Sequence, residues 1–251
     1  MGYFESSDTQ NGDDVVKDKR PRILCLHGGG VNSEIFATQC RALIKQLSEF
    51  RLVFADAPFT SEAGPGILPT FKDFGPFRRW LRWKSSQPEL SDDEAATALV
   101  KAIEDCKASD AGSGKWLGIL GFSQGAKIAG SLLYNQQRGG EGDYKFGVLM
   151  AGRSPFVNLG REPHMSLIGA GVISRSASEL PLPEKKLQIP TVHVLGLRDA
   201  DVEWHRSMAH GFCEDPRIVE WDGGHRIPIK PVDVTAVTDE IHAIVEELEL
   251  L

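Results

Sequence analysis

The stretch Trp116-Leu117-Gly118-Ile119-Leu120-Gly121-Phe122-Ser123-Gln124-Gly125 joins a short apolar run to a Gly-x-Ser-x-Gly motif. The apolar run is typical of a buried strand, and the residues from Gln124 to about 134 predict a helix. A serine at such a strand–helix junction fits a nucleophile elbow, where a strained turn exposes the hydroxyl. The two glycines provide room where a Cβ would collide with neighbouring backbone. The alternative is a glycine-rich turn with a capping serine, and the strand–helix context favours the elbow.

Outward from this motif, strands and helices alternate along the chain. The predicted strands cover residues 22–27, 51–56, 116–120, 146–150, 191–195 and 217–221. The predicted helices cover residues 34–48, 91–108, 124–134, 203–210 and 232–248. Ser91 and Glu94 form a capping box at the start of the second helix. Such alternation requires crossover connections and therefore predicts a mostly parallel sheet with helices on both faces, as in the α/β-hydrolase fold.

The ends of the chain and its long connections complete the predicted organisation. Residues 1–20 are rich in Asp, Ser, Gly and Asn and predict a disordered tail, followed by a single α/β domain over residues 21–251. Residues 57–90 and 151–189 are unusually long connections. Both leave the carboxyl ends of strands, where open α/β sheets bind ligands, so we expect them to form a lid or binding loops.

Composition excludes several classes of function. The formal net charge of −7 argues against a nucleic-acid partner. An apolar run long enough to span a membrane is absent, and the polar start has no secretory apolar core. The four cysteines show neither a CxxC pair nor metal-ligand spacing. We therefore expect reduced thiols, a cytoplasmic location, and no metal or other cofactor.

A second glycine-rich segment, His27-Gly28-Gly29-Gly30, directly follows the first predicted strand. Flexible glycine backbone lets N–H groups point at a developing oxyanion, together with the N–H of Gln124 after the serine. The alternative is a turn without catalytic meaning, and the accompanying elbow favours the oxyanion interpretation. We interpret His27 itself as structural.

A nucleophilic serine needs a histidine base. The histidines after Ser123 are His164, His193, His205, His210, His225 and His242. Only His225 lies in a turn between the last strand and the last helix, where Gly223 and Gly224 let the loop fold back. His193 lies in the middle of a strand, and His242 lies within the closing helix.

The base in turn needs a carboxylate that orients it. Asp199 lies just past a strand end, in Gly196-Leu197-Arg198-Asp199-Ala200-Asp201-Val202. Asp199 is the favoured residue, and Asp201 in the same loop remains a competitor.

These motifs together resemble the fungal FSH1-type family of serine hydrolases. The resemblance rests on the segments 26–30, Asp56-Ala57-Pro58, 121–125, 196–202 and Gly224-His225, and it covers residues 20–248. It implies Ser123, Asp199 and His225 as a catalytic triad, with Gly29 and Gln124 as oxyanion donors. Many relatives have a bulkier residue in the loop of three glycines, so Gly30 is the alternative to Gly29. The family is similar to acyl-protein thioesterases and carboxylesterases, and several fungal members act with polyketide synthases.

The segment 71–83 combines aromatic and basic side chains. We expect an apolar wall for an acyl chain, and the predicted substrate-binding residues are Phe59, Phe77, Trp80 and Trp83. The alternative is an aromatic stripe that packs on the core. The basic residues Arg78, Arg79, Arg82 and Lys84 could hold the phosphate of a phosphopantetheine carrier or coenzyme A, or form a solvated face.

The sequence therefore predicts a serine esterase or thioesterase that acts on a hydrophobic acyl substrate. Polyketide chain release or ester cleavage in fungal secondary metabolism would fit the resemblance, with a small-molecule ester or an acyl carrier domain as partner. One alternative is a ligand-binding protein of the same fold without catalysis. Another is a hydrolase with the same site that cleaves peptide or carbon–carbon bonds.

Overall fold

The structure is a computed structural model that describes residues 17–160, 162–173 and 180–251. Its strands are β1 (Arg22–Leu26), β2 (Arg51–Ala55), β3 (Phe59–Ser61), β4 (Phe77–Arg79), β5 (Trp116–Phe122), β6 (Phe146–Met150), β7 (Thr191–Gly196) and β8 (Arg217–Trp221). Its helices are α1 (Ser33–Gln39), α2 (Arg41–Gln46), α3 (Asp92–Ser109), α4 (Gln124–Gln137), α5 (Val202–Phe212) and α6 (Pro231–Glu247).

Six strands form one parallel sheet in the order β2-β1-β5-β6-β7-β8. Helices α3, α4 and α5 contribute Leu99, Leu133 and Met208 to one core cluster. Helices α1, α2 and α6 contribute Phe36, Leu43 and Ile241 to another. The two clusters cover opposite faces, so both sides of the sheet are buried, as crossover helices require. The predicted α/β-hydrolase fold is confirmed.

The predicted helix over residues 34–48 is two helices, α1 and α2, separated at Cys40. The apolar pattern does not reveal this break, because Phe36, Cys40, Leu43 and Leu47 are all buried on both sides of it. In contrast, α3 begins as expected. The Ser91 hydroxyl accepts from the Glu94 N–H and the Glu94 carboxylate accepts from the Ser91 N–H, which is a complete capping box.

The connection over residues 57–90 contains the antiparallel pair β3–β4, which the sequence analysis treated as loop. Each strand has only three residues, too few for a recognisable alternation. The hairpin lies beside the glycine loop over residues 27–30. The Gly30 N–H donates to Arg78 O at 2.8 Å, and the Arg78 N–H donates to Val31 O at 2.7 Å. These bonds hold the residues after β4 above the carboxyl end of β1.

Residues 17–20 of the predicted tail are described by the structure. Residues 1–16 of the predicted disordered tail lie outside the described residues. Asp18 O accepts from Ser113 N at 2.8 Å, and the Arg20 guanidinium donates to Ser48 O at 2.8 Å. Residues 18–20 therefore contact the domain. Among the described residues, no helix has the length and hydropathy needed to cross a membrane.

Candidate active site

Ser123 lies in the sharp turn between β5 and α4, with φ 55° and ψ −114°. This left-handed backbone is strained for a residue with a side chain. A Cβ on Gly121 would lie 2.2 Å from the carbonyl oxygen of Gly125, and a Cβ on Gly125 would lie 2.0 Å from that of Leu26. Both positions of the motif therefore require glycine, because any side chain would collide with neighbouring backbone. The turn exposes the Ser123 hydroxyl to a cavity.

A line of hydrogen bonds connects Ser123, His225 and Asp199. The distance from Ser123 Oγ to His225 Nε2 is 3.0 Å, and that from His225 Nδ1 to Asp199 Oδ2 is 2.6 Å. Because the Asp199 carboxylate only accepts, His225 donates through Nδ1, and Nε2 remains to accept the hydroxyl proton of Ser123. The Asp199 side chain is 2% exposed and that of His225 is 40% exposed, so the imidazole is accessible to solvent while the carboxylate that orients it is buried.

Asp201 has a different environment from Asp199. Its backbone N–H donates to Asp199 Oδ1 at 3.0 Å, while its carboxylate forms an ion pair with Arg153. The two carboxylates of this loop therefore have different interaction partners. The structure brings Asp199 to His225 and directs Asp201 toward Arg153.

The acid loop after β7 and the histidine loop after β8 are joined to each other. The Leu197 N–H donates to Trp221 O at 2.9 Å, and the Arg198 N–H donates to Gly223 O at 2.8 Å. A Cβ on Gly196 would lie 2.5 Å from the carbonyl oxygen of Gly224. Glycine is required where the two loops meet, and this contact fixes His225 relative to Asp199.

His205, which the sequence analysis did not assign, lies behind this group. It is fully buried, its Nε2 is 3.8 Å from Asp199 Oδ2, and its ring centroid is 5.9 Å from that of His225. Burial lowers the pKa of His205 to about 4, so its imidazole is neutral at pH 7. A histidine six positions after the acid in an amphipathic helix gives no sequence signal that separates it from a core residue.

Asp199, His205 and His225 bring potential metal-ligand atoms within 4.8 Å of one another. Two of these atoms already form the 2.6 Å hydrogen bond between His225 and Asp199. A metal ion there would displace that bond and with it the link to Ser123. The arrangement is explained by the hydrogen-bonded series without a metal.

His27 supports the glycine loop from below. It is fully buried, its Nδ1 donates to Gly28 O at 2.6 Å, and its Nε2 accepts from the Ala57 N–H at 3.0 Å. Burial lowers the pKa of His27 to about 4, consistent with a neutral ring that uses both nitrogens. This position fits the structural interpretation of His27.

Gly29 and Gln124 flank Ser123 at the cavity surface. The Gly30 N–H is already engaged by Arg78 O at 2.8 Å. No acceptor in the described part of the chain receives a hydrogen bond from the Gly29 N–H. Gln124 is the first residue of α4, where the backbone N–H has no partner within the helix. Of the two predicted alternatives, the geometry favours Gly29 as the donor that accompanies Gln124.

Ser123 and His225 open onto a cavity of about 900 Å³. One wall is apolar and comes from Pro65, Ile67, Phe71, Trp83, Phe122, Ile227 and Ile229. Pro65, Ile67, Phe71 and Trp83 belong to the connection over residues 57–90, which the sequence analysis predicted to form a lid or binding loop. A cavity of this size, with an apolar wall and few polar groups beside the nucleophile, can hold an acyl chain of moderate length.

Of the four predicted substrate-binding residues, only Trp83 lines the cavity. Trp80 is fully buried and its indole N–H donates to His27 O at 2.9 Å, so it is part of the scaffold. Phe59 packs against the core beneath the Arg79 guanidinium, which lies 4.9 Å from its ring. Phe77 packs against the cluster of Val31, Ile35 and Ile67. The prediction is corrected for Phe59, Phe77 and Trp80, because these side chains pack against other groups of the protein and do not line the cavity.

The predicted phosphate-binding group of basic residues is dispersed among separate partners. Arg82 pairs with Glu89 at 2.8 Å, Arg78 approaches Asp56 at 3.8 Å, and Lys84 pairs with Glu62. Arg79 is 3% exposed and stacks on Phe59. These four side chains do not converge on a common site, which contradicts the expectation that they hold a phosphate.

A sequence model described as "Serine hydrolase (FSH1)" matches residues 16–237. The chain belongs to the FSH1 family of serine hydrolases. Among curated FSH1 relatives, the esterase citA of Monascus ruber is 47% identical over 239 residues, covering 89% of this chain and 92% of that protein. The esterase claE of Penicillium crustosum is 41% identical over 249 residues, covering 90% and 93%. The family prediction and the assignment to the serine hydrolases are confirmed.

Solved structures agree on the fold of this FSH1 protein. The acyl-protein thioesterase 2 of Zea mays superposes with a TM-score of 0.55 at 15% identity, covering 92% of this chain and 96% of that one. A carboxylesterase from Mesorhizobium loti gives a TM-score of 0.52 at 18% identity and covers 90% of each chain. At this level of identity the likeness establishes the α/β-hydrolase fold.

Proposed function

We propose that this FSH1 serine hydrolase cleaves carboxylic esters or thioesters of hydrophobic acyl groups. The observation that carries the proposal is the hydrogen-bonded series of Ser123, His225 and Asp199 at the edge of a cavity with an apolar wall. The relatives named as esterases support the choice of an ester bond. The alternative of ligand binding without catalysis is less favoured, because a binding protein would not need Ser123, His225 and Asp199 to be hydrogen-bonded in series.

In the first half of the reaction, Ser123 Oγ attacks the carbonyl carbon and its proton passes to His225 Nε2. Asp199 accepts from Nδ1 and stabilises the imidazolium that forms. The carbonyl oxygen becomes an oxyanion, and the N–H groups of Gly29 and Gln124 are the proposed donors to it. His225 then gives the proton to the departing alcohol or thiol, which leaves an acyl-enzyme on Ser123.

In the second half, water takes the place of the alcohol. His225 removes a proton from the water, which attacks the acyl carbonyl through the same oxyanion site. Collapse of the intermediate returns the proton to Ser123 Oγ and releases the carboxylic acid. The whole cycle uses side chains and backbone groups of this chain.

The acyl group would lie along the wall that contains Ile67, Phe71 and Trp83. Burial of each methylene contributes about 0.8 kcal/mol, so longer chains should react more efficiently until the cavity is filled. Release or cleavage of a polyketide ester or thioester in fungal secondary metabolism fits this preference. We propose that the acyl group is presented as a small molecule or by an acyl carrier domain.

A cytoplasmic location is also proposed. It is supported by four free cysteines, of which Cys25, Cys40 and Cys213 are buried. Reduced thiols without disulfides are usual in a reducing compartment.

A fluorophosphonate probe combined with an ester series tests the proposed function. We expect the native protein to be labelled, Ser123→Ala to be unlabelled, and Ser109→Ala, an exposed serine at the end of α3, to be labelled normally. p-Nitrophenyl esters from acetate to decanoate and N-acetylcysteamine thioesters should be hydrolysed. Labelling without hydrolysis of any ester or thioester, but with cleavage of peptide anilides, would replace the ester specificity with the peptide alternative.

A further inference from the structure

The fully buried His205 has polar atoms that the reaction described above does not use. It lies in the first turn of α5, where its backbone N–H donates to Asp201 O at 3.2 Å. Among the described residues, neither ring nitrogen of His205 has a hydrogen-bond partner. A buried polar atom without a partner loses its hydration and gains no hydrogen bond in return, which is unfavourable. A phenylalanine would fill a similar volume without this cost, so packing alone does not explain the imidazole.

Two other buried histidines, His27 and His193, do not share this feature. His27 uses both of its ring nitrogens in hydrogen bonds. The Nε2 of His193 lies 3.2 Å from the hydroxyl of Thr191. Burial in this protein therefore does not by itself separate an imidazole from its partners. What distinguishes His205 is the group that its ring faces.

The ring of His205 faces the acid of the catalytic site. Its Nε2 is 3.8 Å from Asp199 Oδ2, the same oxygen that accepts from His225 Nδ1 at 2.6 Å. The ring centroids of His205 and His225 are 5.9 Å apart, so two imidazoles flank one carboxylate oxygen. The other oxygen, Oδ1, accepts from the Asp201 N–H at 3.0 Å. A carboxylate has about four acceptor positions, so Asp199 Oδ2 can accept a second N–H.

His205 can supply that N–H because its ring is neutral at pH 7. Burial lowers the pKa of His205 to about 4, against the opposing effect of the Asp199 charge. Positive charge on His225 and on Arg153, which pairs with Asp201, acts in the same direction as burial. These groups face the ring from the acid loop, the histidine loop and the segment after β6. Of the two neutral tautomers, the one with its hydrogen on Nε2 directs an N–H at the carboxylate.

We propose that His205 is a positioning residue of the esterase site, which directs its Nε2–H at Asp199 Oδ2 and stabilises the charged acid while His225 is the free base. The inference rests on the proposed esterase function. At 3.8 Å the contact is longer than a hydrogen bond, and a small movement of the carboxylate during the reaction would close it. In the buried site, attraction between the N–H and the carboxylate is stronger than it would be in water.

Loss of this N–H should shift the pH dependence of the reaction in one direction. While His225 is neutral, its pair with Asp199 carries a net negative charge, which the N–H of His205 stabilises. Once His225 is protonated, the pair has no net charge and the N–H contributes less. Without the N–H, His225 should therefore hold its proton to higher pH, and the acidic limb of the pH profile should move upward.

Three variants test this role. His205→Phe keeps a ring and removes the N–H, whereas His205→Gln places an amide N–H close to the position of Nε2. His193→Phe is the matched control, because it makes the same change at another buried histidine that contacts Thr191 and does not line the cavity. kcat/KM for p-nitrophenyl butyrate is measured between about pH 5 and about pH 9. Urea unfolding establishes that each variant is folded.

We expect His205→Phe to move the acidic limb upward by roughly 0.5–1 pH unit. This shift lowers kcat/KM by about three- to tenfold on the acidic side of the limb and by less than about twofold above it. His205→Gln should restore most of the native profile, and His193→Phe should leave the limb in place. ¹H–¹⁵N NMR of the native protein should show a neutral His205 with its hydrogen on Nε2. The NMR titration of His225 should move in His205→Phe as the limb does.

Several results would overturn the proposal. His205 would be only structural if His205→Phe lost the same factor at every pH, if His205→Gln restored nothing, or if His193→Phe moved the limb equally. A hydrogen on Nδ1 in the native protein would also overturn it, and this measurement does not require the variants to fold. If the native enzyme hydrolyses no ester or thioester, the esterase proposal fails. The NMR titrations of His225 in the native protein and in His205→Phe would then still decide whether His205 acts through Asp199.

Discussion

The elbow over residues 121–125 and the covering connection over residues 57–90 both line the cavity, but different kinds of contact hold them in place. At the elbow, Ser123 is held by glycine contacts and by the ends of adjacent strands. In the connection, Trp80 is held by hydrogen bonds to residues 44 and 53 positions away, Gln124 and His27. The elbow therefore follows from local sequence and strand order. The wall follows from contacts that only the folded chain provides.

Gln124 joins the two regions. Its backbone continues the elbow, while its side-chain Oε1 accepts from the N–H groups of Trp80 and Leu81, each at 3.1 Å. Its Nε2 donates to Leu81 O at 3.2 Å. A Cβ on Gly29 would lie 2.0 Å from the Trp83 ring, so the wall also packs directly on the glycine loop. The chemistry and the substrate wall are separate in sequence but in contact in space.

The largest expected effect concerns the acid at the elbow. Asp199→Asn should lower kcat on the order of 10⁴-fold, because an amide in place of the carboxylate leaves His225 in the wrong tautomer. Asp201→Asn should lower kcat by less than about tenfold, since its carboxylate contacts Arg153 rather than His225. Steady-state kinetics on one short ester measure both variants. A greater loss in Asp201→Asn would assign the acid role to Asp201.

Much of the elbow could be predicted because its constraints are local. Asp199 and His225 directly follow strand ends, and the carboxyl ends of parallel strands lie at one edge of the sheet. Glycine at Gly121 and Gly125 is imposed by contacts less than five residues away or with the adjacent strand β1. Helix and strand positions followed from apolar periodicity, except at Cys40, where the periodicity continues through the break.

The wall could not be predicted to the same degree. Trp80 and Trp83 are three residues apart in an irregular segment, and composition does not indicate which ring faces the cavity. The short β3–β4 pair and the hydrogen bonds to Gln124 determine how this segment is oriented. Trp80 is buried in the core, and Trp83 lines the cavity.

The second prediction separates the two tryptophans of the connection. Trp80→Ala should lower the free energy of unfolding by about 3–5 kcal/mol, because it empties a fully buried site. It should leave the chain-length dependence of kcat/KM unchanged in the molecules that remain folded. Trp83→Ala should destabilise less and flatten the dependence on acyl length, because it removes part of the wall.

Urea unfolding and p-nitrophenyl ester profiles on the same samples measure both quantities. If both variants flattened the profile equally, Trp80 would belong to the wall despite its burial. If neither did, the wall would not bind the acyl chain.

The third prediction concerns Gln124, which belongs to the elbow and whose side chain is hydrogen-bonded to the connection over residues 57–90. Gln124→Leu keeps the backbone N–H beside Ser123 but leaves the N–H groups of Trp80 and Leu81 without their acceptor. We expect the free energy of unfolding to fall by about 1–3 kcal/mol, because two buried N–H groups lose their acceptor. We also expect kcat/KM to fall, because the apolar wall is no longer held in position beside Ser123. Gln136→Leu is the matched control.

Gln136 makes an equivalent pair of bonds, with the N–H and the carbonyl of Tyr144, outside the cavity lining. Gln136→Leu should cost a similar free energy of unfolding and leave kcat/KM unchanged. Equal kinetic losses in both variants would mean that Gln124 acts only through stability.

The smallest effect comes from removing a single methylene from the wall. Ile67 lines the cavity and is 8% exposed, whereas Ile103 lies in the core on α3 and is 1% exposed. Ile67→Val and Ile103→Val should each lower the free energy of unfolding by about 0.5–1.5 kcal/mol. Only Ile67→Val should also lower the ratio of kcat/KM for octanoate over acetate esters, by roughly two- to fourfold, since one methylene contact contributes up to about 0.8 kcal/mol. Competition between the two esters in one reaction measures this ratio directly and cancels differences in active enzyme. If the ratio changed equally in Ile103→Val, the preference for longer acyl chains would follow from protein stability. If the ratio were unchanged in Ile67→Val, the acyl chain would lie along another part of the cavity, away from residues 65–71.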